Sequence, residues 1–209
     1  MMATRFQCPG LPSMHLFISS TSPFARIVRI LLQEKQLAHE AIMVDPWSPP
    51  PALREANPAC KVPVLIDQGV AISHSLMIVQ YLESAYPECA LPPVSANETA
   101  QTAMAFVALE AFASLIIGRR SRADFDESPV GLRRRDGLAE ALRRLEAQPP
   151  APFEGGTPSL LQTVVVVLLE AVRFRFDDAA WVPAVPRLTA LCTALGQRPS
   201  FQGTRPFMV

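Results

Sequence analysis

Short apolar segments alternate with helical patterns over the first part of the chain, up to about residue 87. Apolar runs and alternations predict strands, whereas apolar positions three and four residues apart predict helices. Strands are predicted at 15–18, 41–44, 62–66 and 70–73, and helices from Ser22-Pro23 through Leu32, at 51–56 and at 75–86. The Asp67-Gln68-Gly69 sequence between the last two strands is typical of a hairpin turn. This order of elements predicts a small α/β domain.

The remainder of the chain has only helical patterns in its long segments. The segment 159–174 is apolar on nearly every side, which is typical of a buried helix, and Ser159 and Gln162 have the spacing of a capping box at its start. Further helices are predicted at 97–118 with Asn97 as the N-cap, at 128–148 and at 183–196, before a mostly irregular tail at 198–209. The second part is therefore predicted to be an all-α helical bundle.

Prolines at positions 87, 92 and 93 indicate a break between these two parts. We expect an α/β domain at 14–88, a linker at 89–96 and an all-helical domain at 97–209. Residues 1–13 are expected to be an N-terminal extension, because Met14 stands directly before the first strand-like run.

Charge and composition narrow the classes of function. The chain of 209 residues has 19 basic and 19 acidic side chains, so it lacks the basic excess expected of a nucleic-acid-binding protein. The longest aliphatic run, 164–169, is far shorter than the roughly 20 residues of a membrane span. The four cysteines form no C-x-x-C pair, so no metal site and no disulfide framework is expected. Free thiols favour a cytoplasmic location.

Three hydroxyl side chains, Ser20, Thr21 and Ser22, stand between the first strand and the first helix. Pro23 suits the first helical position, so Ser22 is expected at the N-cap. A capping role alone explains Ser22. Alternatively, the positive end of the helix and the Ser22 hydroxyl stabilise a thiolate and lower the pKa of its thiol.

Two further segments are also compatible either with a purely structural role or with ligand binding. Pro63 at the head of a strand is compatible with an ordinary trans bond, or with a cis bond that leaves the Val62 backbone free to pair with an extended peptide. Ser75 is expected to cap the following helix, and the N–H groups there would also bind a carboxylate.

Taken together, three motifs resemble the glutathione S-transferase family, in particular its bacterial serine-type members. They are S-P-F-A-R-x-V-R from Ser22, N-P-x-x-K-V-P-V-L from Asn57 and S-L-x-I-x-x-Y-L-E from Ser75. The resemblance runs from about Met14 to Phe201 and is weaker in the second part, where Arg198-Pro199-Ser200-Phe201 is similar to a common family ending. It implies a thioredoxin-like N-terminal domain, an all-helical C-terminal domain and a homodimer.

The resemblance also implies roles for individual residues. Ser22 would activate the glutathione sulfur, Val62 before a cis-Pro63 would pair with the cysteinyl backbone, and Ser75 would bind the γ-glutamyl carboxylate. Lys61 is at a position that contacts the tripeptide in some members. His74 stands where the family usually has Glu or Asp facing the glutamyl ammonium, which puts the affinity for glutathione in question.

The second substrate is expected in a cleft between the domains, against the helix that starts near Asn97. The candidate residues are Met104, Phe106, Leu109, Ala113, Ile116 and Arg120. Most of these positions are equally compatible with a core role, because periodicity does not separate a core from a cleft. The arginines at 119, 120 and 122 would attract an acidic substrate, or would only form a solvated helix end.

Two functions are therefore expected from the sequence. The first is a cytoplasmic glutathione transferase acting in detoxification, which uses glutathione as co-substrate and a small hydrophobic electrophile or a peroxide as second substrate, without a metal. Because serine cannot form a mixed disulfide, Ser22 favours conjugation or peroxide reduction over thiol transfer. The alternative is a non-catalytic binding or stress-response protein of the same fold, which His74 favours.

Overall fold

The computed structural model describes residues 14–208, so the predicted extension at 1–13 lies outside the described residues. The first part contains a sheet of four strands and three helices. These elements are β1 (His15–Ile18), α1 (Pro23–Glu34), β2 (Glu40–Met43), α2 (Pro51–Ala56), β3 (Val64–Asp67), β4 (Val70–Ser73) and α3 (Ser75–Ala85). The predicted order of strands and helices is confirmed, and the boundaries differ by one or two residues.

The strand order in the sheet is β2-β1-β3-β4, with β1 and β2 parallel and the other two neighbouring pairs antiparallel. Ile18 pairs with Met43, Phe17 with Val64, and Val64 with Ser73. The carboxyl ends of β1, β2 and β4 and the start of β3 therefore lie at one end of the sheet. This end is called the site end below.

Helices are the only regular secondary structure of the second part within the described residues. Its elements are α4 (Ala96–Ser121), a 3-10 turn (Phe125–Glu127), α5 (Pro129–Ala147), α6 (Leu160–Phe176), α7 (Pro186–Leu195) and α8 (Pro199–Gln202). Helix α6 is buried on almost every side, as its apolar sequence predicts, and the Ser159–Gln162 capping box is present. Helix α4 is long and apolar enough to cross a membrane by length and composition alone, but it packs against α5 and α6 as a core helix does.

One sequence prediction in this part was wrong. The N-cap of α4 is Ser95 rather than Asn97, because Ser95 and Glu98 form a reciprocal capping box that Asn97 has no partner to make. The tail is mostly irregular, as predicted, but it contains the short helix α8. Phe201 and Thr204 of this tail are buried against the rest of the protein.

Helix α1 is held by the C-terminal helices through buried polar contacts. Arg26, which is 4% exposed, forms an ion pair with Glu170 of α6. It also donates to the Phe201 carbonyl (3.2 Å) and to the Thr204 hydroxyl (3.3 Å). Burial lowers the pKa of Arg26, and the Glu170 carboxylate opposes this shift. The contacts of the buried Arg26 guanidinium thus hold the N-terminal domain against the helical domain.

A second ion pair fastens the other end of α1. Glu34 accepts from Arg198 (2.6 Å) and from the Ser200 hydroxyl. Burial alone would raise the pKa of Glu34, but the hydrogen bonds from Arg198 and Ser200 lower it overall. Lys35, just after α1, has a buried ammonium that donates to the carbonyl of Tyr86 (2.8 Å), the residue that ends α3.

Two glycines of α5 are expected to respond oppositely to alanine. A Cβ at Gly131 would overlap the backbone of Phe125 and Asp126, whereas a Cβ at Gly137 would meet no atom within 4 Å. Gly131→Ala is expected to destabilise the protein by about 2 kcal/mol through a forced backbone shift. Gly137→Ala is expected to stabilise it by about 0.5–1 kcal/mol through helix propensity. Urea unfolding of both variants tests this, and a similar effect at the two positions would contradict it.

Candidate functional site

Four loops meet at the site end of the sheet. They are the β1–α1 turn with Ser20, Thr21 and Ser22, the β2–α2 loop at 44–50, the approach to β3 with Lys61, Val62 and Pro63, and the β4–α3 junction with His74 and Ser75. The sheet register brings them together, because β3 starts where β1, β2 and β4 end. All five candidate glutathione-binding residues are therefore on the same end of one domain.

Ser22 is the N-cap of α1, with an extended backbone, and its hydroxyl accepts a hydrogen bond from the Ala25 N–H at 3.2 Å. Pro23 occupies the first helical position, as predicted. The hydroxyl is only partly buried and retains a proton that it can donate outward. Ser22 thus combines a hydroxyl donor with the positive end of a helix of 12 residues.

The peptide bond between Val62 and Pro63 is cis, and β3 starts only at Val64. The Val62 N–H and C=O make no backbone hydrogen bond to another residue in the range 14–208, so both can pair with an extended ligand. The preceding loop is ordered by Asn57, whose amide donates to the Lys61 carbonyl (2.9 Å). The Lys61 side chain itself is exposed.

The start of α3 differs from the sequence prediction. His74, not Ser75, occupies the N-cap position, and no side chain caps this helix. Ser75 is the first helical residue and is 3% exposed, and its hydroxyl has no partner among the residues the structure describes. The sequence predicts a capping role for Ser75 because serine is a favoured cap, but within residues 14–208 its hydroxyl makes no such bond and can donate to a ligand instead.

His74 has a backbone conformation that non-glycine residues rarely adopt, with φ of 73° and ψ of 116°. Such strain costs on the order of 1–3 kcal/mol and is concentrated at functional sites. Helix α3 begins directly after β4, so its N-terminus and its first N–H groups lie at the site end. The His74 side chain is exposed and makes no cap hydrogen bond.

The candidates for the second substrate on α4 divide into two groups. Met104, Ala113 and Ile116 are partly exposed and can contact a ligand. Leu109 is completely buried in the core, so this candidate was wrong. The apolar periodicity of α4 did not distinguish it, because core and cleft residues alternate on neighbouring faces of the same helix.

The three arginines at the end of α4 have different surroundings. Arg119 pairs with Asp126 (3.0 Å) and Arg122 with Asp124 (2.7 Å). Arg120 instead lies over the ring of Trp47, with 4.3 Å between the guanidinium carbon and the ring centroid. Trp47 belongs to the β2–α2 loop, so this contact joins the two domains at the site end. Trp47 is not recognisable from the sequence as a site residue, since nothing local connects it to a residue 73 positions later.

No group of three or more potential metal ligands is found within residues 14–208. Of the thiols in this range, Cys192 is buried, and burial together with the nearby Glu170 carboxylate raises its pKa to about 12. This thiol is therefore protonated at neutral pH. Cys60 and Cys89 lie in loops, Cys60 just before the Lys61–Val62 segment.

The protein has a thioredoxin-like sheet domain followed by a helical domain, and strand, turn and helix ends meet at one end of the sheet. Known proteins that share this architecture identify its class. A family model described as "Glutathione S-transferase, N-terminal domain" matches residues 16–90. A glutathione S-transferase from Methylobacillus flagellatus KT, solved with glutathione bound, superposes with a TM-score of 0.82. It is 27% identical, and the match covers 93% of this chain and all of that one.

Two relatives extend this comparison. A protein of Aplysia californica named "probable glutathione transferase" is 32% identical over 78 residues, which are 37% of this chain and 82% of that protein. A "stringent starvation protein A homolog" of Pasteurella multocida is 37% identical over 81 residues, which are 39% of this chain and only 38% of that protein's length. The chain belongs to the glutathione S-transferase family.

Proposed function

We propose that the protein is a glutathione transferase in which Ser22 holds the glutathione thiolate for attack on an apolar electrophile or a peroxide. The observation that carries this proposal is the convergence of Ser22, Val62 and Ser75 at the site end of the sheet. They offer three complementary surfaces: a helix N-terminus with a hydroxyl, an extended backbone, and a second helix N-terminus with a hydroxyl. Neither this backbone nor the second hydroxyl has a hydrogen-bond partner within residues 14–208.

The three surfaces match the three parts of glutathione. The thiolate is stabilised by the Ser22 hydroxyl and the N-terminus of α1, which favour the anion over the thiol. The cysteinyl backbone pairs with the N–H and C=O of Val62, as a strand would. The γ-glutamyl carboxylate accepts hydrogen bonds from Ser75 and the first N–H groups of α3. The ammonium group of Lys61 can form an ion pair with a further carboxylate of the tripeptide.

In this proposal, attack forms a bond between the glutathione sulfur and the electrophilic carbon, and the leaving group departs with its electron pair. Ser22 acts by lowering the pKa of the thiol, so that the reactive thiolate is populated at neutral pH. The half-buried side chains of Met104, Ala113 and Ile116 provide the apolar wall for the electrophile. We also propose that the protein is cytoplasmic and a homodimer. Sedimentation analysis of the purified chain tests the dimeric state.

Calorimetric titration with reduced glutathione tests the binding step. Binding at millimolar concentration or tighter, about −4 kcal/mol or better, is expected. Ser75→Ala is expected to weaken this binding about tenfold, because a buried hydroxyl that donates to a carboxylate is lost. The absence of measurable heat at millimolar glutathione would contradict the proposal.

A second candidate function is a non-catalytic binding or stress-response role. It is favoured by His74, which replaces the acid expected opposite the glutamyl ammonium, and by the similarity to proteins named for stringent starvation. Glutathione binding without turnover of any electrophile would support this second function.

His74→Glu is expected to raise the affinity for glutathione about two- to fivefold, because an exposed ion pair to the glutamyl ammonium contributes about 0.2–1 kcal/mol. His74→Gln is the control, since it changes the side chain without adding a charge. Titration of both variants with glutathione measures the difference. An equal affinity of the two variants would show that the ammonium does not lie next to residue 74.

A further inference from the structure

The contact between Trp47 and Arg120 connects the two domains at the site end. Trp47 is 55% exposed, and the Arg120 guanidinium lies 4.3 Å from its ring centroid. Cation–π pairs of this kind are weak at exposed positions, about 0.5–1 kcal/mol. The pair therefore contributes little to stability. Its position at the site end, near the proposed thiolate site, suggests a role in binding instead.

Trp47 is anchored next to the proposed thiolate site. The Val44 N–H donates to the Ile18 carbonyl (2.9 Å), so the β2–α2 loop leaves the sheet beside the β1–α1 turn that contains Ser22. Asp45 stabilises this loop, because its carboxylate accepts a hydrogen bond from the backbone N–H of Trp47 (2.9 Å). The indole ring is thus presented at the same end of the sheet as Ser22.

Arg120 differs from its two neighbours in charge pairing. Arg119 and Arg122 each pair with an aspartate, whereas Arg120 has no carboxylate partner among residues 14–208. Arg120 is also four and seven residues after Ile116 and Ala113, so these three side chains share one face of α4. The apolar side chains of Ala113 and Ile116 on this face are therefore followed by the Arg120 guanidinium, whose charge no carboxylate of residues 14–208 neutralises.

We propose that Arg120, supported by Trp47, binds a carboxylate on the second substrate, which is an apolar electrophile with one anionic group. This inference rests on the proposed function. The guanidinium carbon lies over the indole ring, and none of its N–H groups is taken by a carboxylate of residues 14–208, so it can donate to a carboxylate of the substrate. The apolar part of the substrate lies against Ile116 and Ala113, and its electrophilic carbon faces the thiolate held by Ser22.

With an aryl halide as the test electrophile, the reaction that follows is an aromatic substitution. The glutathione thiolate attacks the ring carbon that carries a halide, the carbon–sulfur bond forms and the carbon–halogen bond breaks. The halide leaves with the bonding electron pair, and the thiol proton has already been released to solvent. No oxidant, reductant or metal takes part in this step.

Two matched electrophiles test the proposal: 4-chloro-3,5-dinitrobenzoate and its methyl ester, which differ in charge and share the leaving group. Arg120→Ala is expected to lower the ratio of kcat/KM for the benzoate to kcat/KM for the ester about tenfold, the effect of losing a charge-assisted contact near the surface. Arg120→Lys is expected to fall between, because it retains the charge but loses the planar fork.

The matched control is Arg122→Ala, which removes the same charge from the same helix end but from a residue already paired with Asp124. This variant is expected to leave the ratio unchanged at physiological salt, because Asp124 already neutralises the Arg122 guanidinium and exposed charges are screened. An equal fall of the ratio in the Arg120 and Arg122 variants would overturn the proposal, since it would indicate general attraction of anions. An unchanged ratio in Arg120→Ala would also overturn it.

A binding measurement separates this proposal from the proposed function. The chain has two tryptophans, so Trp181→Phe leaves Trp47 as the only one. In this variant, unreactive 3,5-dinitrobenzoate is expected to quench the Trp47 fluorescence saturably and more tightly than the neutral benzamide, and Arg120→Ala is expected to abolish that preference. Benzoate binding without conjugation of either electrophile would overturn the proposed function alone. Conjugation of both without any benzoate preference would overturn the Arg120 proposal alone.

Discussion

Replacing Ser22 by alanine is expected to lower kcat/KM for conjugation about 100-fold. The Ser22 hydroxyl is the side-chain donor at the N-terminus of α1, and loss of one donor to an oxyanion-like centre commonly costs 10²–10³ in rate. The pH at which kcat/KM reaches half its maximum is expected to rise toward the pKa of a free thiol, about 8.5, because the thiolate loses its stabilising hydrogen bond. Steady-state rates across a pH series measure both effects.

Ser95→Ala provides the control for capping. Ser95 is the N-cap of α4, as Ser22 is of α1, and its hydroxyl also accepts from a helix N–H at 3.2 Å. Both alanine variants are expected to lose about 1 kcal/mol of stability, and only the Ser22 variant is expected to lose activity. Unchanged turnover in Ser22→Ala would transfer the thiolate role to Thr21 or Ser20, which are in the same turn.

Glu170→Gln is expected to cause the largest loss of stability among the predicted variants, about 3 kcal/mol. It leaves the Arg26 guanidinium buried without an opposing charge, and breaking a buried ion pair from one side typically costs 3–5 kcal/mol. The Phe201 and Thr204 oxygens that remain around Arg26 are neutral and do not compensate for the lost carboxylate. Urea unfolding followed by circular dichroism measures the change.

Two variants identify the cause of that loss. Glu140→Gln removes an exposed carboxylate that pairs with Arg143 and Arg144, and it is expected to cost under about 0.5 kcal/mol. The double variant Arg26→Met with Glu170→Met is expected to regain most of the stability lost in Glu170→Gln, because neither charge is then buried alone. A cost for Glu170→Gln as small as that for Glu140→Gln would mean that water reaches Arg26.

The elements of the N-terminal domain could be predicted because their signals are local. The run His15–Ile18, the Pro23 after an N-cap and the turn after Asp67 each depend on a few neighbouring residues. The strand predicted from Val62 starts two residues later, at Val64, because Pro63 has no N–H to donate to a neighbouring strand. The Ser95–Glu98 capping box was also visible in the sequence, and Asn97 was preferred although it lacks the second partner.

The tail and the domain contacts could not be predicted in this way. Arg198 and Glu34 are 164 residues apart, and Thr204 and Arg26 are 178 residues apart. A charged residue in a sequence is compatible with solvent or with a distant partner, and only the folded chain distinguishes them. The same reason applies to Trp47 and Arg120, whose contact depends on how α4 lies over the β2–α2 loop.

The candidate site was predicted as a set of positions, and its geometry needed the fold. The sequence selected Ser22, Val62 and Ser75 through three motifs, and the strand register explains why they lie at one end of the sheet. The sequence could not show that His74 has a positive φ, or that Ser75 starts the helix with a free hydroxyl instead of capping it. Both depend on the exact angle at which the chain leaves β4.

The buried charge on α1 has a consequence for chimeric proteins. The helix that begins after Ser22 has Arg26 on its covered side, and the acid that neutralises Arg26 belongs to α6 of the other domain. A fusion of residues 14–88 to a foreign helical partner would bring a cation to the new interface with no anion opposite it. Domain exchange in this protein therefore requires that the donor of the helical half also supply an acid at the position of Glu170.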